Sequence, residues 1–330
     1  MSEFWALGIE IGGTKLQLGI GQGQGSLLAL DRLRVDPSRG AAGILEQIKD
    51  ALPRLLAAAK LDRHQIQAAG IGFGGPVDVQ NGRTQKSFQI VGWDDFPLAG
   101  WLGEHLEISR VVLENDADTA GLAEARFGAG VGHSPLLYMT VGSGIGGALI
   151  VNRQIYRGSG HGAAELGHLL VPETTPSGIR LRELEQVASG WAIAAAAREL
   201  ARRKLHDGRG EWIVLSQAQG RPDDISTDLV ANAARAGDPD ALTILDHAST
   251  AISFALTQTV ALLAPQRIVI GGGVSLIGDK LWFDPIRCLL DRDVFGPFRG
   301  RFDIVPAVLG EQVVVHGALA LARDSIASAG

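Results

Sequence analysis

Two segments about half a chain apart spell one pattern. Residues 5–35 run through apolar positions to Ile11, turn at Gly12-Gly13-Thr14-Lys15, and resume with Leu16, Leu18 and Ile20. Residues 135–156 repeat it: an apolar run to Val141, the turn Gly142-Ser143-Gly144-Ile145-Gly146-Gly147, and a second apolar run to Val151. Apolar runs on both sides of a glycine cluster read as paired strands joined by a tight turn. Recurrence at this spacing predicts a duplicated architecture. The 330 residues are enough for about two domains.

Helical and strand signals alternate around these hairpins. Ile44, Ile48, Leu52, Leu55 and Leu56 fall at helical spacing, so a helix is predicted over 41–60. Residues 68–73 read as a short buried strand that ends at Gly74-Gly75-Pro76. Residues 111–113 form another, which ends at Glu114-Asn115-Asp116 ahead of a predicted helix over 118–127. Helices are expected over 180–206, 226–263 and 314–326, and a strand over 268–270 that runs into Gly271-Gly272-Gly273.

Composition removes several classes of function. A net charge of −6, with scattered Lys and Arg, argues against nucleic acid, because phosphate neutralisation needs clustered cations. The densest basic group, Arg198, Arg202, Arg203 and Lys204, reads as the solvated face of one helix. Cys288 is the single cysteine, so neither an intramolecular disulfide nor a cysteine zinc site is expected. No apolar stretch reaches the roughly 20 residues that span a bilayer, and no basic, cleavable leader pattern opens the chain. A cytoplasmic globular protein with no membrane partner is expected.

The glycine clusters can be tested against three ways of holding phosphate. A P-loop needs a Gly-Lys pair before a helix, and the chain has no such pair. A dinucleotide fold needs its glycine fingerprint between a strand and a helix; Gly142–Gly147 has the spelling, but a strand pattern follows it. The third scheme is a pair of β-hairpins whose turns offer backbone N–H groups to nucleotide phosphates, and both glycine turns suit it. The competing explanation is that each turn needs glycine only for its backbone angles. Two matching hairpins and a third glycine turn at Gly271–Gly273 weigh against it.

Ordered along the chain, Gly8-Ile9-Glu10-Ile11-Gly12-Gly13-Thr14-Lys15, Gly72-Phe73-Gly74-Gly75-Pro76-Val77-Asp78, Glu114-Asn115-Asp116-Ala117 and Glu165-Leu166-Gly167-His168 resemble the motifs of the ROK family of sugar kinases and sugar-responsive repressors. The resemblance covers nearly the whole chain, including Gly271-Gly272-Gly273 and Gly317-Ala318. It implies an α/β, actin-like (ribonuclease H-like) fold with two domains. The smaller would span 1–118, with a C-terminal helix over 313–330 returning to it, and the larger 119–312.

The same resemblance implies ATP-dependent phosphorylation of a hexose, glucose to glucose 6-phosphate first, with Asp116 as the general base. Read from the residues alone, Asn115, Asp116 or Asp118 could equally cap the helix that follows. Sugar contacts are expected from Gly74, Gly75, Asn115, Asp116, Glu165, His168 and Glu185, since ionised carboxylates accept hydrogen bonds from hydroxyls. ATP contacts are expected from Gly12, Gly13, Thr14, Lys15, Gly142, Ser143, Gly144, Gly272 and Gly273. Glu10 stands where the family has an aspartate, and is expected to hold Mg²⁺ through water.

Many members of the family bind structural zinc through a cysteine cluster between the matching His and the last Glu. Residues 171–183 contain no cysteine, so no zinc site is expected and His168 is left for sugar. Closure of the domains around the sugar would exclude water as a competing acceptor. A homodimer is expected. Three rival readings remain open: a kinase of fructose, mannose, an N-acetylhexosamine or a cyclitol; a catalytically impaired sugar-binding protein, on account of Glu10; and a repressor. The last would need a DNA-binding domain ahead of Gly8, where seven residues stand.

Overall fold

The structure is a computed structural model that describes residues 4–87, 89–159, 162–175, 178–208 and 210–327. Two compact units emerge, one drawn from Met1–His133, Ala148–Ala163 and Ala307–Gly330, the other from Ser134–Gly147 and Ala164–Pro306.

The first unit opens with three antiparallel strands, β1 (Trp5–Ile11), β2 (Lys15–Gly21) and β3 (Leu27–Arg34). Only the first two were legible as strands; β3 is the half-exposed edge and carries Asp31, Arg32 and Arg34 among its apolar residues. Helix α1 (Gly40–Ala59) buries Ile44, Ile48, Leu52 and Leu55 on the face its spacing predicts. It leads to β4 (Ile66–Phe73), which runs parallel to β1. A small hairpin, β5 (Val77–Asp78) with β6 (Arg83–Thr84), and helix α2 (Leu98–Leu106) precede β7 (Val111–Asn115) and α3 (Asp116–Phe127). The sheet order is β3-β2-β1-β4-β7.

The second sheet comprises β8 (Leu136–Val141), β9 (Ile145–Val151), β10 (Gln154–Ile155), β13 (Arg267–Gly271) and β14 (Asp303–Pro306). Its order is β10-β9-β8-β13-β14, so the same succession of strands recurs, as the repeated hairpin predicts. Between β10 and β13 come the hairpin β11 (Leu170–Thr175) with β12 (Gly178–Glu183), and helices α4 (Glu185–Ala188), α5 (Gly190–His206), α6 (Ile213–Gln217), α7 (Thr227–Arg235) and α8 (Pro239–Leu263). The start of the helical stretch expected over 180–206 is therefore strand. Asp238 caps α8, its carboxylate accepting from Ala241 N at 2.8 Å ahead of Pro239 at the first helical position. Helix α9 (Phe283–Asp293) lies between β13 and β14 and carries exposed Cys288.

Helix α10 (Val313–Ala327) closes the chain and packs in the first unit, burying Val315, Leu319 and Ala322 with Ala6 and Ala68. Residues 328–330 of the predicted terminal helix lie outside the described residues. Two glycines make this packing possible. A Cβ on Gly70 would stand 1.9 Å from Ala318 O, and one on Gly317 would stand 2.0 Å from Thr119 O. The Gly317-Ala318 pair thus has a packing role: backbone meets backbone there.

Candidate active site

In the first unit, Gly12 N donates to Lys15 O at 2.9 Å and closes the β1–β2 turn. Gly74 N donates to Ile11 O at 2.8 Å, which brings the end of β4 against that turn. Gln89 lies on Gly13, where its Oε1 fills the place of a Cβ. The expected residues Gly12, Gly13, Gly74, Gly75, Asn115 and Asp116 are brought together here.

Asn115 and Asp116 divide the duties that the sequence left open. Asn115 caps α3: its Oδ1 accepts from Ala117 N at 2.8 Å and Asp118 N at 3.3 Å. Its Nδ2 donates to Gly75 O at 3.1 Å, tying the cap to the Gly74-Gly75 turn. Asp116 is the first residue of α3, and its Oδ2 lies 3.5 Å from where a Cβ on Gly74 would stand. The carboxylate thus stands next to the Gly74-Gly75 turn.

Glu10 is buried, with Oε1 at 2.9 Å from Lys15 Nζ and Oε2 accepting from Gln17 Nε2 at 2.6 Å. Burial pushes its pKa up, while the charge of Lys15 and the bonds from Lys15 and Gln17 pull it back. Both oxygens face donors, and an ammonium already occupies the place a cation would take. That environment is a poor fit to a Mg²⁺ site. Among the described residues, no group of three or more His, Cys, Asp or Glu could hold a metal ion.

In the second unit the turn of the repeated hairpin is closed by Gly142 N donating to Gly144 O at 2.9 Å. Glu185 Oε2 accepts from Ile145 N at 2.8 Å and rests where Gly144 would carry a Cβ. Gly190 N donates to Gly142 O at 2.8 Å. Gly272, at φ +85°, lies against Val141 at the end of β8. The expected residues Gly142, Gly144, Glu185 and Gly272 thus gather at one end of this sheet, with exposed Ser143 and Gly273 beside them.

The Glu165–His168 segment joins the same group. A Cβ on Gly167 would stand 2.2 Å from Ile145 O, so this turn packs directly on the start of β9. Glu165 and His168 are both exposed and flank a short 3₁₀ turn, with His168 N donating to Glu165 O at 3.1 Å. The His168 ring stands 3.6 Å from Glu183 Oε1.

The glycines can be sorted by what they avoid. Gly272 needs a backbone angle that other residues rarely adopt, as the competing explanation holds. Gly142 and Gly273 do not: their φ lies outside that region, and a Cβ on either would meet nothing within 4 Å. Nothing within the described protein requires glycine at those two positions.

Sequence reasoning assigned no role to Gln17, Glu114 or Arg157. Gln17 alternates with apolar residues in a strand and is fully buried, its Nε2 also donating to Glu311 O at 2.7 Å. Glu114 is buried and paired with Arg157, a lone arginine that no local pattern marks.

Two mixed sheets of matching strand order, each led by a glycine-turned hairpin, define an actin-like α/β fold. The ROK family model matches residues 6–325, and the chain belongs to the ROK family. It is 32% identical over 321 residues to a glucokinase of Streptomyces coelicolor, covering 96% of this chain and 97% of the relative. A glucokinase of Thermotoga maritima is 29% identical over 329 residues, covering 99% of each. Among solved structures, a ROK family glucokinase from Streptomyces griseus in complex with glucose and AMPPNP superposes with a TM-score of 0.78 at 31% identity, covering 97% of this chain and 99% of that one. Among the described residues, no helix is long and apolar enough to cross a membrane.

Proposed function

We propose that the protein transfers the γ-phosphoryl group of ATP to a hexose hydroxyl, glucose O6 foremost. The observation that carries this reading is the division of labour at the start of α3. Asn115 takes the bond to Gly75 and the bonds from Ala117 N and Asp118 N, while Asp116, whose Oδ1 also accepts from Ala117 N at 2.9 Å, places Oδ2 beside the Gly74-Gly75 turn. The glucokinases similar to this chain, and the glucose and AMPPNP complex of its structural neighbour, support the same reaction and substrates.

Asp116 accepts the proton of the attacking hydroxyl as the new O–P bond forms, and the bond between the γ-phosphorus and the bridging oxygen breaks to release ADP. General-base assistance of this kind is worth about 10²–10⁴-fold in rate. Glu165, His168 and Glu185 take hydrogen bonds from sugar hydroxyls. The turns at Gly12–Lys15, Gly142–Gly144 and Gly272–Gly273 present backbone N–H groups to the nucleotide phosphates, which explains glycines at 142 and 273 that the protein itself does not demand. Mg²⁺ bound with the ATP phosphates would offset their negative charge. Glu10 is paired with Lys15 and Gln17 and has no direct hold on the ion.

A coupled assay of ADP release over a panel of hexoses, N-acetylhexosamines and cyclitols tests the reading, with Asp116→Asn alongside. Glucose should be turned over fastest, and Asp116→Asn should abolish turnover while sugar affinity stays within a few-fold. ADP release with no sugar on the panel would remove the kinase reading, and a different preferred sugar would move only the specificity.

A further inference from the structure

The ion pair of buried Glu114 with half-buried Arg157 has no role in the chemistry above. We infer that Arg157, acting through Glu114, is a positioning residue for Asp116. This rests on the proposed role of Asp116 as the base.

Glu114 is 2% exposed and sits two residues before Asp116, at the end of β7. Its Oε2 accepts from Arg157 Nε at 2.9 Å and from Arg157 Nη2 at 2.5 Å. Its Oε1 accepts from Asn115 N at 3.1 Å. One carboxylate therefore joins the residue that caps α3 to a guanidinium 43 positions further along the chain. A buried charge with a two-point partner is held in place, because any displacement leaves it without solvent or counter-charge.

Arg157 is itself anchored. It follows β10, and the β9–β10 turn that leads to it is fastened to the far end of α3. There Arg126 donates from Nη1 and Nη2 to Asp324 at 2.9 and 2.6 Å, and from Nε and Nη2 to Arg153 O at 3.3 and 3.1 Å. The β9–β10 segment is thus tied at Arg153 to Arg126 near the end of α3, and at Arg157 to Glu114 in the strand that leads into α3. Asp116 is the first residue of that helix.

Without Arg157 the buried Glu114 carboxylate must seek other donors, and the nearest is the backbone N–H of Asn115 that it already holds. Rearrangement falls on the cap and so on the carboxylate beside it. Misplacement of a reacting group by about 1 Å costs on the order of 10²-fold in rate. The described bonds of the pair lead to Asn115 and, through its Nδ2, to the Gly74-Gly75 turn beside Asp116, so the effect belongs mainly in kcat.

The experiment compares Arg157→Ala, Arg157→Lys and the double variant Glu114→Gln/Arg157→Ala, with Asp116→Asn as reference. Turnover, both Michaelis constants and melting temperature are measured for each. Arg157→Ala should lower kcat about 10–100-fold, with the Michaelis constants for sugar and ATP within two- to three-fold. Arg157→Lys, which keeps the charge but not the two-point geometry, should recover part of the loss. The double variant should exceed Arg157→Ala in kcat, because no unpaired charge remains. If Arg157→Ala yields no folded protein, the other two variants decide: wild-type kcat in Arg157→Lys, or a double variant as slow as Asp116→Asn, overturns the inference. A lowered melting temperature with unchanged kcat also overturns it, leaving the pair a structural role alone. Retained turnover in Asp116→Asn is a separate failure, that of the base assignment itself.

Discussion

The carboxylate of Glu10 meets the ammonium of Lys15 at 2.9 Å across the turn that carries Gly12, Gly13 and Thr14. Gln17 holds the other oxygen and links the group to the backbone of Glu311, while its own Oε1 is buried with no hydrogen-bond partner among the described residues. Glu10 serves here as the counter-charge of Lys15. Replacing it with glutamine keeps the shape and removes the charge. In Glu10→Gln, the Mg²⁺ concentration for half-maximal rate should stay within two-fold and turnover within about ten-fold. Titration of Mg²⁺ at saturating ATP reads this directly. A ten-fold rise in the Mg²⁺ requirement would restore the water-bridged metal role that the sequence suggested.

Gly142 and Gly272 make a matched pair of tests. Alanine at 142 has room within the protein and no adverse backbone angle. Its melting temperature should hold or rise slightly, since Gly→Ala at a compatible site is worth about 0.4–1 kcal/mol. Its Michaelis constant for ATP should rise about ten-fold, or ~1.4 kcal/mol. Gly272→Ala should instead lower stability, because φ is +85° and the new methyl would overlap Val141. Unchanged ATP dependence in Gly142→Ala would show that this turn does not face the phosphates.

Much of this was legible because the strands that matter are largely buried and mostly apolar. Ile9, Leu16, Leu18 and Ile71 announce themselves, and the glycines that end each run mark the turns. Strand β3 was hidden by its edge position, where charged residues belong. The β11–β12 hairpin was hidden for the opposite reason. Leu170, Ile179 and Leu181 are exposed on it, while Arg180 and Arg182 both pair with partly buried Glu173. Its pattern therefore runs against the rule of apolar inside. Asn115 and Asp116 could not be told apart from sequence, since either residue type caps a helix well. Ala117 N is shared by both side chains, and the bond from Asp118 N assigns the cap to Asn115. Arg157 gave no signal, because its partner lies 43 residues away.

His316 is buried on α10, and burial pushes its pKa below the usual imidazole range. A lowered pKa means that the unfolded chain takes up the proton first as pH falls. The stability from burying the neutral ring is fully present above the unfolded value of about 6.5 and is lost as pH drops towards the folded one. Melting temperature should therefore fall between pH 7.5 and 5.5, and His316→Gln should flatten part of that slope. Parallel slopes in the two proteins would mean that other groups carry the acid sensitivity.

Glu185 has two duties that substitutions can separate. Its Oε2 accepts from Ile145 N at 2.8 Å and so braces the glycine turn expected to face phosphate, while the same carboxylate is proposed to take a sugar hydroxyl. Glutamine keeps an oxygen for Ile145 but loses the charge. Loss of a charged acceptor costs roughly 1.5–3 kcal/mol, or one to two decades in affinity. Glu185→Gln should therefore raise the Michaelis constant for sugar by that amount and leave ATP nearly unchanged. Glu185→Ala removes the brace as well, so its ATP constant should rise too. Glu165→Gln is the companion variant, because Glu165 is exposed at the start of its turn and no described bond joins its carboxylate to a glycine turn. It should affect sugar alone. If Glu185→Gln weakens ATP as much as sugar, the residue serves the nucleotide side, and the sugar contacts must be sought among Glu165, His168 and the Gly74-Gly75 turn.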